Sequence, residues 1–408
     1  MSSITISKKK TIWVLFCLCL LAEYLMPHST ASSVLVLLFA LLCGIYLFRR
    51  YRYIRSNPFI NSYILFLLWQ VFLLVAGYTA HPDVTASYIA TLAICALFIF
   101  IVYNFFVIYG DTRMIENSLI IAGVVALAIV MFLCRDSLLT GRMAHTYKDY
   151  GKGYSYILFG VKVAISSNLI ASYSTVSAFL LLKHFYEDRK CACLPVIAFL
   201  SVGILLTGSR KGILLLVSML AITAVIYGRS EILIKVVLAI VGVVTSYFII
   251  TRVEILRNVI GDRLRALVLR MLGLANIKEA SLNARLRFGG LALDYIRNNP
   301  IVGIGSGGFS YEVGNVSENN YTEILLAGGF IGFLLYYSYL IPSAVGMIRK
   351  IKRSSGRLLL EYLEYSALFL MLHVIQYGTV IYYSRPYLLY AILLFSVMAI
   401  KRKDRETV

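Results

Sequence analysis

Apolar residues along this chain come in blocks, many of them long enough to cross about 30 Å of hydrocarbon, separated by short polar or basic breaks. The blocks predict helical spans at 11–26, 31–48, 59–78, 84–108, 116–134, 154–182, 192–206, 212–227, 231–250, 322–348, 359–381 and 386–400. The period-2 alternation of a membrane barrel is absent. The expected fold class is therefore all-α, a polytopic transmembrane helical bundle of about 12 spans. The first block follows Lys8, Lys9 and Lys10 but lacks a small-residue cleavage site, so it reads as the first span and not as a removed leader.

Two stretches between blocks are long, 135–153 and 251–321. In the second, Leu256, Ile260, Leu264, Leu267, Val268 and Met271 recur at helical spacing among Arg257, Arg263, Arg265 and Arg270. That pattern predicts an amphipathic helix lying in the membrane interface. A further helical stretch at about 284–298 should end before Pro300, because the residue before a proline disfavours helical backbone. The chain thus divides into 1–250 with helices 1–9, a large helical extracytoplasmic loop at 251–321, and 322–408 with helices 10–12 and a basic tail.

Composition supports the membrane reading: 60% of residues are hydrophobic and only 14% charged, too little polar surface for a soluble domain of 408 residues. The net charge is +19, and its placement sets the orientation. Lys8–Lys10, Arg49–Arg55, Arg113, Lys183–Lys190, Arg229–Lys235, Arg349–Arg357 and Lys401–Arg405 fall on one side, whereas the turns 27–30 and 79–83 carry no Lys or Arg. This puts both termini in the cytoplasm. The seven cysteines show neither a disulfide framework nor zinc spacing, so no metal site is expected. No cofactor and no nucleic-acid partner are expected either.

Basic residues also gather on the outer side: Arg210 and Lys211 in a short turn, and Arg252 through Arg297 in the large loop. A basic outer vestibule attracts anions, while contact with anionic headgroups is the alternative for each residue taken singly. In the same region "IVGIGSGGFS" (Ile301–Ser310) spells G-x-G-x-x-G with Gly303, Gly305 and Gly308. A dinucleotide fingerprint needs a preceding strand and a following helix within a βαβ unit. Here a helix and Pro300 precede it and a span follows, so that reading fails. The glycines then serve either close backbone approach in a tight turn or a phosphate cradle of N–H groups. Lys162, inside an expected span, should face a cavity or snorkel outward.

Three segments carry a resemblance. "ARLRFGGLALDYIRNNPIVGIGSGGF" (Ala284–Phe309) resembles the O-antigen polymerase and O-antigen ligase family, with an arginine, a helix, Asn-Pro, Gly-x-Gly and Phe. Arg297 and Gly308 also match the Arg-x10-Gly spacing of O-antigen polymerases. "LLTGSRKGILLL" (Leu205–Leu216) is similar to the family's Ser-Arg motif between spans, and "SENNYTEILLAGGFIGFLLYY" (Ser317–Tyr337) to the polar segment that enters the next span.

The resemblance implies a metal-independent, membrane-embedded glycosyltransferase of GT-C type at the outer face of the inner membrane. Its substrate would be oligosaccharide linked to undecaprenyl diphosphate, with membrane lipid and a chain-length regulator protein as further partners. Arg210 and Arg285 match family arginines and are the implied catalytic cations, with Glu318 as the base. Arg287, Arg297, Lys211, Gly303, Gly305, Gly308, Asn319 and Asn320 are the implied substrate-binding residues. Arginine suits a departing diphosphate because its planar fork stays charged and binds phosphate oxygens bidentately. Ligases carry His-Asn where this chain reads Glu318-Asn319, which points to polymerase; ligase and polysaccharide transporter are the alternatives.

Overall fold

The computed structural model describes residues 6–25, 30–48, 54–109, 112–135, 156–158, 161–163, 167–189, 191–227 and 280–406, with the single residues Arg252, Arg265 and Leu269. Side chains of 6–10, 30–31, 109, 156–163, 167, 210, 280–285, 386 and 397–406 lie outside the description. The expected span 231–250, most of the loop 135–153 and the amphipathic stretch 254–272 lie outside the described residues too.

The described chain is almost wholly helical. Helices α1 (Ile6–Leu25), α2 (Thr30–Phe48), α3 (Pro58–Val75), α4 (Pro82–Tyr109), α5 (Thr112–Leu133), α6 (Ser167–Asp188), α7 (Cys193–Leu206) and α8 (Arg210–Tyr227) come first. They are followed by α9 (Ala280–Asn298), α10 (Gly308–Val313), α11 (Asn320–Tyr337), α12 (Leu340–Lys352), α13 (Gly356–Gln376) and α14 (Arg385–Glu406). Among the described residues, five helical stretches are long and apolar enough to cross a membrane: Pro58–Val75, Pro82–Ile108, Thr112–Leu133, Asn320–Lys352 and Gly356–Gln376. Five shorter apolar helices accompany them, including Cys193–Leu206 and Lys211–Tyr227. These helices mark an integral membrane protein.

One expected span needs correction. Residues 154–182 were expected as a single helix, but α6 begins only at Ser167. Before it, β1 (Tyr156–Leu158) pairs antiparallel with β2 (Val161–Val163), with Ile157 opposite Lys162. Lys162 therefore sits on a strand and not inside a span. A short apolar run rich in β-branched residues cannot be told from a helix by periodicity.

The chain forms two compact units. The first, Met1–Phe39 with Arg113–Ile277, packs α6 against α7 and α8. The Tyr24 and Tyr173 rings stack 4.0 Å apart, and Ser177 Oγ donates across the α5–α6 interface to the Leu119 carbonyl at 3.0 Å. A buried ionic cluster joins the same helices: Glu116 accepts from Lys183 Nζ at 2.5 Å and from His184 Nε2 at 2.9 Å.

The second unit, Ala40–Thr112 with Lys278–Val408, packs α3 against α4 and α11, and α4 against α14. Its helices start on local signals. Asn57 caps α3 by accepting from the Ile60 N–H at 2.9 Å, with Pro58 following at a position whose N–H is not needed. Aromatic rings fill the interior: Phe66 meets Tyr336 edge-on at 5.3 Å and Tyr382 at 5.9 Å. Tyr63 Oη donates to the Tyr382 carbonyl at 2.8 Å and so holds the α13–α14 connection against α3.

Candidate functional site

The glycine loop docks into a broken helix. Within α11, Gly329 has φ 61° and ψ −163°, backbone that only glycine adopts readily. The break frees the carbonyls of Leu326 and Ala327 and the N–H groups of Phe330 and Ile331. The loop takes them up: Ile304 N–H donates to Leu326 O at 2.8 Å and Gly305 N–H to Ala327 O at 3.2 Å. In return, Phe330 N–H donates to Pro300 O at 2.8 Å and Ile331 N–H to Ile301 O at 3.3 Å. Backbone groups exposed by a kink inside a membrane would otherwise be costly.

Glycine at 303 is required by this approach. Its φ is +73°, and a β-carbon there would meet the Leu326 carbonyl oxygen at 2.5 Å. Gly305, also left-handed, faces Thr85 and Thr79 as closely. Gly308 starts α10 and has only ordinary contacts with Ile304. The N–H groups of Gly303, Ile304, Gly305, Ser306 and Gly308 all go to protein acceptors. Of the two readings of these glycines, close backbone approach accounts for Gly303 and Gly305 directly.

Gln70 of α3 anchors the loop from below. Its Oε1 accepts from the Ser306 N–H at 3.0 Å and Ser306 Oγ at 2.9 Å, and its Nε2 donates to Ala327 O at 3.2 Å. Trp69 Nε1 donates to Gly328 O at 2.9 Å. The sequence reading missed Gln70, although a buried amide within an apolar block signals a function or a partner.

The entry to α11 holds the second group of expected site residues. Asn319 caps the helix, its Oδ1 accepting from the Tyr321 N–H at 3.0 Å. Asn320 is fully buried and uses both ends of its amide. Nδ2 donates to Tyr337 Oη and Gln376 Oε1, each at 3.0 Å, while Oδ1 accepts from the N–H groups of Ile381 at 2.8 Å and Tyr382 at 2.9 Å. The hydrogen-bonding capacity of that amide is thus taken up within the protein. Glu318 is half-buried with φ +59°, a left-handed backbone rare for a side chain of this kind. Glu323, one turn into α11, is buried and accepts from the Ser317 N–H at 3.0 Å. Burial, with the Glu323 carboxylate adding to it, pushes the Tyr382 phenol far up; Tyr383 is raised by burial, Tyr88 and Glu323.

A third cluster surrounds α10, which Phe309 wedges against Ala292, Ile304 and Leu326. Glu312 Oε2 accepts from Tyr295 Oη of α9, and Oε1 from His81 Nε2 at 3.0 Å in the turn before α4. These donors hold the Glu312 carboxyl below its ordinary range, Tyr295 first and His81 second, and the same bond raises the Tyr295 phenol. His81 and Tyr295 carry no local sequence signal; only the fold brings them to Glu312.

The arginines divide. Arg287 and Arg297 are exposed on α9, and Arg297 pairs with Asp294 at 3.6 Å while 77% exposed, an arrangement worth little in water. Arg285 lies in α9 and Arg210 begins α8; their side chains are outside the description. Lys211 is half-buried on α8.

No curated protein matches the chain. Residues 195–337, from α7 through the glycine loop to the end of α11, match the family model described as O-antigen ligase, which is consistent with the O-antigen polymerase and ligase family.

Proposed function

We propose that the chain is a polysaccharide polymerase that joins undecaprenyl-diphosphate-linked oligosaccharide repeats at the outer face of the cytoplasmic membrane. The observation that carries the reading is Glu318-Asn319 at the entry to α11, where ligases carry His-Asn, within the segment matched by the family model. The membrane frame is twelve spans with both termini cytoplasmic, and 251–321 is the large outer loop. Cysteines placed at Ser281 and Ser355 should then react with an impermeant thiol reagent from opposite sides.

In the reaction, the acceptor sugar hydroxyl attacks the anomeric carbon of the donor glycan. Its proton passes to Glu318, the new glycosidic C–O bond forms, and the bond to the diphosphate oxygen breaks. The diphosphate leaves as an anion stabilised by Arg210 and Arg285, with Arg287 and Arg297 guiding substrate and no metal or cofactor required. Removing one such cation should cost on the order of 2–4 kcal/mol of transition-state stabilisation. Lysine at 285 should rescue poorly, because one ammonium does not replace a bidentate fork. A chain-length regulator is the expected protein partner.

The description of the matched family as ligase favours one second reading, transfer of finished glycan to an acceptor lipid. Deletion separates the two: loss of a polymerase leaves single repeats, whereas loss of a ligase strands long chains on the lipid carrier. Purified protein given lipid-linked repeats and EDTA, without nucleotide, should build a ladder of polymers. Long chains on the carrier in the deletion strain would overturn the polymerase reading.

A further inference from the structure

Three elements meet at the surface beside the glycine loop: α10, α9 and the turn before α4. On α10, Tyr311 is 64% exposed, and its ring leans on the His81 imidazole with centroids 4.4 Å apart at 45°. The next residue, Glu312, holds its carboxylate between His81 Nε2 and Tyr295 Oη, donors from two other elements, and its side chain remains one-third exposed. A carboxylate accepts about four hydrogen bonds, so the two described bonds leave acceptor capacity on the exposed side. The helix under this pair is held by buried Phe309, against which Tyr295 packs edge-on at 5.6 Å. The surface is therefore preorganised: an open aromatic face next to a carboxylate whose orientation is fixed.

That pairing has a chemical complement. A pyranose ring offers an apolar C–H face for an aromatic ring and equatorial hydroxyls that donate to a carboxylate. A diphosphate or an anionic lipid headgroup offers neither, and the Glu312 charge repels both. Tyrosine as a membrane-interface anchor is the competing account of an exposed Tyr. It gives no reason for a carboxylate clamped from two sides at the adjacent residue.

We propose that Tyr311, His81 and Glu312 form a saccharide-binding subsite for a neutral, hydroxyl-rich pyranose of the glycan chain. Which glycan arrives there rests on the polymerase reading; the subsite itself does not. Tyr311 supplies the stacking face, Glu312 accepts from sugar hydroxyls, and His81 and Tyr295 position Glu312.

The test uses the full chain in lipid nanodiscs and, as probe, the oligosaccharide released by mild acid from the host's own lipid-linked repeats. Saturation-transfer NMR should detect binding to the wild type. Tyr311→Ala should weaken it about three- to tenfold, the range expected for one lost aromatic contact, and Tyr311→Phe should retain it. Glu312→Gln should also weaken it, with the melting temperature of each variant recorded alongside. Equal binding by wild type and Tyr311→Ala, or no saturation transfer to the wild type, overturns the subsite. Binding that depends on Tyr311 in a protein that builds no polymer would overturn the polymerase reading and leave the subsite standing. A polymer ladder formed equally well by Tyr311→Ala at limiting substrate would do the reverse.

Discussion

Gly329 and Ile301 meet backbone to backbone: a β-carbon built on Gly329 would collide with the Ile301 carbonyl. The contact lies where the glycine loop enters the break in α11, and the Gly329 backbone there is one that side chains avoid. Gly329→Ala is expected to cost about 1–3 kcal/mol for the backbone conformation and about as much again for overpacking. Gly290→Ala is the control, since nothing lies within 4 Å of that exposed position on α9. It should be neutral or stabilising by up to about 1 kcal/mol. Thermal unfolding in detergent should separate the two variants, and equal melting temperatures would remove Gly329 from its structural role.

Asn320 gives the second prediction. Alanine there orphans the buried N–H groups of Ile381 and Tyr382, each costing about 1–3 kcal/mol. Tyr337 Oη and Gln376 still bond each other at 2.6 Å, which limits the loss on that side. Asn320→Ala should therefore lower yield and melting temperature along with activity. Aspartate keeps the two acceptances but loses the donor, and should fall between. If Asn320→Ala melts like wild type and loses only turnover, Asn320 acts on substrate and not on the fold.

The carboxyl of Glu312 supplies a pH dependence. Its folded value lies below the ordinary one because Tyr295 and His81 donate to it, with Tyr311 as the neighbour on its own helix. A lowered carboxylate contributes stability above its unfolded value, near 4.3, and loses that contribution as pH falls through the folded value. Hydrogen exchange at 308–313, corrected for intrinsic rates, should therefore quicken between about pH 5 and pH 3. Glu312→Gln should be equally exposed at both ends of that range. Identical pH responses in the two proteins would show that the clamp contributes nothing to α10.

Most of the described helices were legible in the sequence because their signal, the length of an apolar run, is local; α10 was not expected, and the run 322–348 is divided between α11 and α12. The ribbon at 156–163 was not, since a short apolar run fits strand and helix alike. The glycines of 303–308 were visible, but not their use. Which glycine of "LAGGFIG" leaves the helix is decided by Pro300–Gly305, a separate segment that supplies the missing hydrogen-bond partners. Glu312 was visible in the sequence, two residues beyond the glycine segment. Its partners were not, because Tyr295 is 17 residues away and His81 is 231.

In the first unit, the buried Lys183–Glu116–His184 cluster carries a prediction about stability alone. Lys183→Met removes one charge and leaves Glu116 buried with reduced compensation, at an expected cost of about 3–5 kcal/mol. Adding Glu116→Leu should recover part of that loss, because the buried carboxylate whose compensation was reduced, with His184 still beside it, is gone. A double-mutant cycle on melting temperature measures the coupling. Additive effects would mean that the two side chains do not stabilise the α5–α6 interface as a pair.

Glu318 is where structure and proposed chemistry pull apart, and so it is the sharpest test of the site. Its φ of +59° is strained for glutamate, by roughly 1–2 kcal/mol, and glycine would adopt it freely. If Glu318 has no part in the chemistry, the activity of Glu318→Gly should simply follow its stability, whichever way the melting temperature moves. If Glu318 takes the proton from the acceptor hydroxyl, Glu318→Gly should make little polymer even after its activity is corrected for any change in melting temperature. Glu318→Gln should behave likewise, since it keeps size and hydrogen bonding but accepts no proton. Glu318→Asp should retain part of the rate, limited by its shorter reach. The expected loss for removing a general base is about two to four decades in turnover with little change in apparent substrate affinity. A Glu318→Gly protein that builds polymer at the wild-type rate would take Glu318 out of the mechanism. Glu312 and Glu323, one clamped at the surface and the other buried beneath Ser317, would then be the carboxylates to test.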